Sequence, residues 1–483
     1  MSGGGTQKVA VIGLDSAPPQ LLFDRWRTQL PHLNGLMDHG LWGELRSCHP
    51  PMTVPAWSAM MSSKDPGQLG CYGFRNRRTY AYDAYALANS TAVKHERVWD
   101  ILSRAGQQII LLGVPQTYPP PALNGHVVSC FLTPGTNSAY TYPAHLKAEV
   151  ERVAEGYVFD VDNFRSPDKH GLLRRIYEKT RKHFRVARHL VTTRPWDFFM
   201  MVEMGPDRVQ HGFWKHFDPN HRKHEPGSEF EHAMRDYYRY LDQEVGELLA
   251  CIDPEALVLV VSDHGAKKMD GALCCNEWLI QQGYLRLVSY PEAVTPINPK
   301  KMIDWRATRA WGDGGYYGRL FLNVKGREPQ GIVEPEDYER VRDDLIAAVA
   351  AITDPEGRNM SCRAYRPEAL YRQTTGVPPD LIVYFGDLSW RSIGSIGRRS
   401  IYSAENDTGP DDANHDWNGV FIMRDGGHDR QGTRLDGLDL MDVAPTILQR
   451  FGLPVPADMQ GGVVDAGRGC NGRAGGVAKG EAA

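Results

Sequence analysis

The segment VAVIGLDS, residues 9–16, sets the reading of the whole chain. Its first six residues, Val9 to Leu14, are all apolar or small, with no polar residue at alternate positions. Such a run describes a strand covered on both faces, as in the parallel sheet of an α/β protein. The strand ends in Asp15, a carboxylate left near an apolar sheet edge at a desolvation cost unless a partner relieves it. A metal ion is one such partner, and a cap or turn in the following segment is another.

Moving outward, the same kind of short apolar run recurs at Ile109 to Val114, Phe198 to Glu203, Leu257 to Ser262, Leu381 to Phe385 and Val420 to Met423. Between these runs lie stretches with apolar residues at helical spacing: Trp99 to Ala105, Leu172 to Leu190, Ala233 to Cys251 and Tyr338 to Ile352. The alternation predicts an α/β fold with a mostly parallel central sheet sandwiched by helices. The irregular segments Thr79 to Lys94, Pro134 to Arg165 and Tyr290 to Tyr317 are richer in Tyr, Pro and Gly than a simple crossover needs. They read as inserted cap segments at about 75–95, 134–170 and 285–318, roofing a site on one catalytic domain of residues 8–464. A flexible leader at 1–7 and a disordered, Gly- and Ala-rich tail at 465–483 complete the expected organisation.

The polar motifs fall where strands end, which is where ligand sites of open α/β sheets lie. In VEMGPDRVQH, Asp207 and His211 are four residues apart and share one face of a helical turn. Such a pair binds one ion, or is simply two polar residues on a helix. In LVLVVSDHGAKK, an almost wholly apolar strand delivers Ser262, Asp263, His264 and Gly265 in succession, and a divalent ion would satisfy both the anion and the imidazole. In NHDWNGVFIMRDGGHD, His415 and His428 compete as a further ligand. In CHPPMTVPAWSAMMSS, Thr53 stands at the start of a helix, where its hydroxyl can meet a metal and a phosphoryl group or serve as an ordinary N-cap.

The order of these elements is D-S after the first strand, T-x-P-A-W, D-R-x-x-H, S-D-H-G and a late H-x-x-x-G. It resembles the alkaline phosphatase superfamily, and within it the type I phosphodiesterase/nucleotide pyrophosphatase-like branch, from Lys8 to about Gly461. The resemblance implies two divalent metal ions, zinc or alternatively manganese. One would be held by Asp207, His211 and His415, the other by Asp15, Asp263 and His264, with Thr53 bridging to it as nucleophile. It implies a metal-dependent hydrolase of a small phosphate ester, phosphodiester or nucleotide-type diphosphate, working through a phospho-threonine. A cofactor-independent phosphomutase would use the same site.

The chain departs from the pattern after Thr53, where relatives carry a substrate-binding Asn. Here the sequence reads GFRNRR, with Phe74 in the nearest place and Arg75 and Asn76 as neighbouring candidates. Asn276 is a further substrate candidate, or a helix cap; Arg309 and Arg319 are weaker ones. The aromatic run HGFWKHFD from His211 to Asp218 reads as packing. A sulfatase would need a C/S-x-P-x-R motif, and the stretch from Cys48 to Met52 lacks its Arg. A catalytically silent binding protein is the remaining alternative, weakened by the full set of ligands.

Bulk properties narrow the partners. A formal net charge of -4 with dispersed Lys and Arg offers no field for nucleic acid in bulk. No uncharged run approaches the ~18 residues a membrane span needs. Eight cysteines without a disulfide-scaffold spacing read as mostly reduced thiols, and with no signal region the expected location is cytoplasmic. The partner is a small phosphorylated substrate, and the oligomeric state is open.

Overall fold

A computed structural model describes residues 7–428, 430–465 and 470–471. The leader and the tail therefore fall almost wholly outside the described residues. Eight strands build the body of a ten-stranded sheet: β1 (Val9–Leu14), β2 (Leu41–Arg46), β3 (Ile109–Leu112), β4 (Gly125–Val128), β5 (Thr141–Tyr142), β6 (Phe198–Glu203), β7 (Leu257–Val261) and β8 (Asn418–Asp425). Their spatial order is β2-β8-β7-β1-β6-β3-β4-β5, with Thr433–Arg434 and Leu438–Asp439 added along β2. From β7 to β4 all neighbours are parallel, while β8 runs antiparallel to β7 and β2, and β5 to β4.

The apolar runs form strands because alternate residues enter two different cores. Ala10, Ile12, Phe199, Met201, Val258 and Val260 pack against helices that include α2 (Lys169–Thr193), α3 (Gly205–Phe217) and α4 (Ala233–Leu249). Val9, Val11, Phe198, Met200, Leu257 and Leu259 face the opposite layer, which includes α1 (Thr53–Ser62). Each buried side chain of this size contributes roughly 1.5–3 kcal/mol, so the sheet tolerates no slip in register. Gly13 pairs with Val202 on one side and Val261 on the other, which brings the carboxyl ends of β1, β6 and β7 level.

The four expected helices appear as Val98–Arg104, α2, α4 and Tyr338–Ala350. The run at Leu381 to Phe385 requires a correction. Leu381–Tyr384 is a strand, but it lies in a separate four-stranded antiparallel sheet with Ala310–Asp313, Gly318–Leu322 and Arg363–Tyr365. That sheet has its own core, where Trp311, Phe321 and Leu381 meet Val341, Leu345 and Val349 of the 338–350 helix. A run buried on both faces looks alike in either sheet. This sheet thus extends well beyond segment 285–318, and the 75–95 segment carries a hairpin, Arg75–Arg77 with Tyr85–Leu87. Among the described residues no helix is long and apolar enough to cross a membrane.

Candidate metal centre

Asp15 leaves β1 with its backbone N–H donating to the Glu203 carbonyl at 3.0 Å. Ser16 then adopts a left-handed conformation, φ 63°, which costs a non-glycine residue about 1–3 kcal/mol. The turn aims the Ser16 N–H at Asp263 Oδ1, 3.2 Å away, and tucks the Ala17 N–H against Ser262 Oγ at 2.8 Å. Trp57 Nε1 donates to Asp15 Oδ2 at 2.8 Å. Asp15 Oδ1 is thereby left facing Thr53 Oγ1 at 3.4 Å, and that hydroxyl is also 3.4 Å from His264 Nε2.

Thr53 is the first residue of α1, all ten residues of which are buried. Met52 occupies the N-cap position, and no side-chain cap bond is made there. The N-cap alternative for Thr53 is therefore corrected: its hydroxyl is directed to Asp15 and His264, not to the helix backbone. The hydroxyl sits on a helix that packing holds rigidly.

The SDHG turn continues into Gly265–Lys268, which pairs antiparallel with Ala413–Asp416 and sets Ala266 opposite His415. Gly265 is required for this approach, because a Cβ would stand 2.2 Å from the Asn418 carbonyl oxygen. The His264 and His415 rings stack at 3.8 Å. From β6, α3 presents Asp207 and His211 on one face, with His211 Nε2 3.2 Å from Asp207 Oδ1, and His415 Nε2 lies 3.8 Å from the same oxygen. His428 is elsewhere, exposed and paired with Asp425 at 3.0 Å.

Two buried groups result, each with donor atoms within 4.8 Å of one another: Asp207, His211 and His415, and Asp15, Asp263 and His264. The donors are prepared in the same way at all three histidines. Nδ1 of His264 lies 2.9 Å from the Gly265 carbonyl, Nδ1 of His415 lies 2.9 Å from the Pro51 carbonyl, and Nδ1 of His211 lies 2.6 Å from Asp411 Oδ1. Carbonyl acceptors place the ring proton of His264 and His415 on Nδ1, which directs their Nε2 lone pairs into the site, and Asp411 orients His211 so that its Nε2 also faces inward. Asp207 Oδ1 and Asp263 Oδ2 are buried carboxylate oxygens that receive no hydrogen bond.

The electrostatics also fit cations. Burial first, and then the neighbouring Asp263, hold the Asp15 carboxyl well above the usual carboxylate range, and burial raises Asp263 likewise. Burial pushes His264 and His415 down, which keeps them neutral. At His211 burial opposes protonation, but Asp411, Tyr316 and Asp207 outweigh it and raise the pKa. Asp207 is held low despite its burial, by His211 and Arg208. A divalent ion in each group would relieve the carboxylate repulsion and satisfy the unpartnered oxygens.

The other sequence candidates are not gathered with these groups by any contact. Asn276 is buried, its amide donating to the Gly312 and Gly394 carbonyls at 2.9 and 2.8 Å and accepting from the Gly312 N–H at 2.8 Å. It fastens the Ala310–Asp313 strand to Gly394; Cys274, without a side-chain bond, is the helix N-cap instead. Asn76 is tied into its own loop through the Tyr72 N–H and the Gly73 carbonyl. Arg75 is exposed, and its carbonyl accepts from Arg319, which also pairs with Asp313. Arg309 lies over Tyr284. Phe213 and Trp214 of the aromatic run are core residues, as packing requires.

Several residues went unread in the sequence. Asp411 accepts from Arg165, Arg391 and Asn406 as well as facing His211. Its only local signal was its place four residues before His415. Trp57 stands within the T-x-P-A-W motif, where nothing shows its indole reaching Asp15. Tyr316 and Arg165 come from two different irregular segments, and no spacing connects them.

A mostly parallel sheet with two Asp/His groups and a hydroxyl at its strand ends defines the alkaline phosphatase-like class. The family model for "Type I phosphodiesterase / nucleotide pyrophosphatase" matches residues 9–411, and the chain belongs to that family of phosphoric ester hydrolases, a metallo-hydrolase type using divalent ions. No curated protein sequence matches it significantly. Similar solved structures include human ectonucleotide pyrophosphatase/phosphodiesterase 5, with 12% identity and TM-score 0.54 over 93% of this chain and 96% of that one. An inactive form of the murine protein in complex with AMP gives 13% identity and TM-score 0.54, with the same coverage of both chains. These likenesses bear on the fold.

Proposed function

We propose that the chain hydrolyses a small phosphate ester, phosphodiester or nucleotide-type diphosphate through two divalent ions and a phospho-threonine at Thr53. The observation that carries this reading is the convergence of two buried Asp/His groups, all three Nε2 atoms turned inward, with the Thr53 hydroxyl beside the Asp-rich one. Asp15, Asp263 and His264 would hold one ion and Asp207, His211 and His415 the other; three imidazoles beside three carboxylates suit zinc, with manganese as the alternative. Bound there, the ions would acidify the Thr53 hydroxyl and neutralise charge on the attacking and leaving oxygens.

The chain's own residues supply the rest. α1 holds Thr53 in place, so that attack on phosphorus needs little reorganisation. Thr53 Oγ1 bonds to phosphorus as the bond to the leaving oxygen breaks; the hydroxyl proton passes to solvent, and the leaving oxygen departs as an oxyanion or takes up a proton from solvent to leave as an alcohol. Water then attacks the phospho-threonine, the P–Oγ1 bond breaks, and phosphate or a phosphomonoester is released. Trp57 and Ser16 keep Asp15 and Asp263 turned toward the site throughout.

The test is metal analysis of the purified protein, followed by assays of the metal-loaded enzyme on p-nitrophenyl phosphate, bis-p-nitrophenyl phosphate and thymidine p-nitrophenyl phosphate. Hydrolysis that chelator abolishes and zinc or manganese restores is expected, and inactivity on all three with metals bound opposes the proposal. Turnover in oxygen-18 water is expected to label the released phosphate; a mutase would leave it unlabelled.

A further inference from the structure

Tyr316 sits at the tip of the roof hairpin formed by Ala310–Asp313 and Gly318–Leu322. Its ring lies nearly parallel to His415, at 4.0 Å and 26°, and to His211, at 5.0 Å and 27°. No other described aromatic side chain stacks on both of these histidines. The hydroxyl accepts from Arg165, whose Nε donates to Asp411 Oδ2 at 2.9 Å, and Asp411 Oδ1 faces His211 Nδ1. The main chain of the tip is fixed independently, by reciprocal 2.9 Å bonds between Gly315 and Ser392 and by Asn414 Nδ2 donating to the Tyr316 carbonyl at 3.2 Å.

This is more contact than covering a surface requires. Ring rotation at His211 and His415 would turn each Nε2 away from Asp207, and each ring is held at Nδ1 by a single acceptor. A single hydrogen bond leaves a ring free to tilt about it, whereas a stacked neighbour opposes that tilt.

We propose that Tyr316 is a positioning residue for the His-rich group: its ring fixes the planes of His211 and His415, and its hydroxyl links them through Arg165 and Asp411 to the roof. The proposal rests on the reading of that group as an ion site. Because coupling is reciprocal, an ion that gains from the stack also tightens the hairpin tip.

Stepwise zinc titration of the chelator-stripped full chain tests it, using wild type, Tyr316→Phe and Tyr316→Leu, each checked by circular dichroism. Wild type is expected to take up two zinc ions. Tyr316→Leu should bind one of them about 10–100-fold more weakly and the other unchanged, the usual loss when a ligand's support is removed. Tyr316→Phe, which keeps the ring, should stay within about threefold of wild type, a loss well below that range. Unchanged binding of both ions by Tyr316→Leu overturns the proposal while leaving the two-ion reading intact. So does a loss in Tyr316→Phe as large as in Tyr316→Leu. Failure of wild type to bind zinc overturns both ideas at once. Hydrogen exchange of wild type needs no variant: zinc should raise protection of the amides at 313–318, and no change there counts against the coupling.

Discussion

Trp57 Nε1 donates to Asp15 Oδ2 at 2.8 Å, so that only Asp15 Oδ1 faces Thr53. One indole thus decides which carboxylate oxygen enters the site. The same ring packs on β1 so closely that a Cβ on Gly13 would stand 2.6 Å from Trp57 Cη2. Trp57→Phe leaves a buried carboxylate oxygen without its donor and is expected to cost about 1–3 kcal/mol of stability. It should also weaken one zinc-binding step about 10–100-fold. Urea unfolding of the apo protein and zinc titration read the two effects separately.

Thr53→Ala removes the proposed nucleophile from a helix that does not use the hydroxyl as a cap. Turnover is expected to fall at least about 10³-fold, while unfolding midpoint and zinc stoichiometry stay near wild type. Thr53→Ser keeps the oxygen and should retain turnover within roughly tenfold, since only a methyl group is lost. Mass spectrometry of acid-quenched enzyme with substrate should find phosphate on residue 53 in wild type and none in the Ala variant.

Asp411 compensates Arg165 and Arg391 while facing His211. Asp411→Asn leaves the buried Arg391 and the part-buried Arg165 short of an anion and is expected to cost about 3–5 kcal/mol, the usual penalty for breaking a buried pair. His211 also loses the charged partner that supports it, so one zinc ion should bind about 10–100-fold more weakly. Chemical denaturation and metal titration measure these losses.

Asp412 has a buried carboxyl whose Oδ2 accepts no hydrogen bond, and burial pushes its pKa up from 3.8 to about 7 against the pull of Lys169 and Lys215. Folded protein keeps this proton up to about pH 7, whereas the unfolded chain releases it near 3.8. The folded state therefore binds more protons within that window, and stability falls as pH rises through it by up to about 1.4 kcal/mol per pH unit. Asp412→Asn should flatten this slope and leave the protein more stable than wild type at pH 8. Urea unfolding of both proteins between pH 4 and pH 8 tests the sign.

Much of the centre is legible along the chain because parallel strands force acidic motifs to their carboxyl ends. The runs before Asp15, Asp207 and Asp263 have no polar alternative to burial, so the sheet and the level of its motifs follow from them. The strand at Leu381–Tyr384 escaped that logic: a doubly buried run reads the same in the central sheet as in the antiparallel roof sheet. Asn276 and Asn76 escaped it too, since an amide offered to substrate and one spent on backbone carbonyls are identical in sequence.

The sequence by itself determined an α/β fold and marked seven residues as candidates for phosphoryl-transfer chemistry: Asp15, Thr53, Asp207, His211, Asp263, His264 and His415. Both follow from residue type and short-range periodicity, which local order preserves. Only the tertiary structure freed Thr53 from a capping role and brought Trp57, Asp411 and Tyr316 onto the site. These contacts join residues 42, 200 and 99 positions apart, and side-chain packing across a folded sheet, not any spacing in the chain, decides which of them meet.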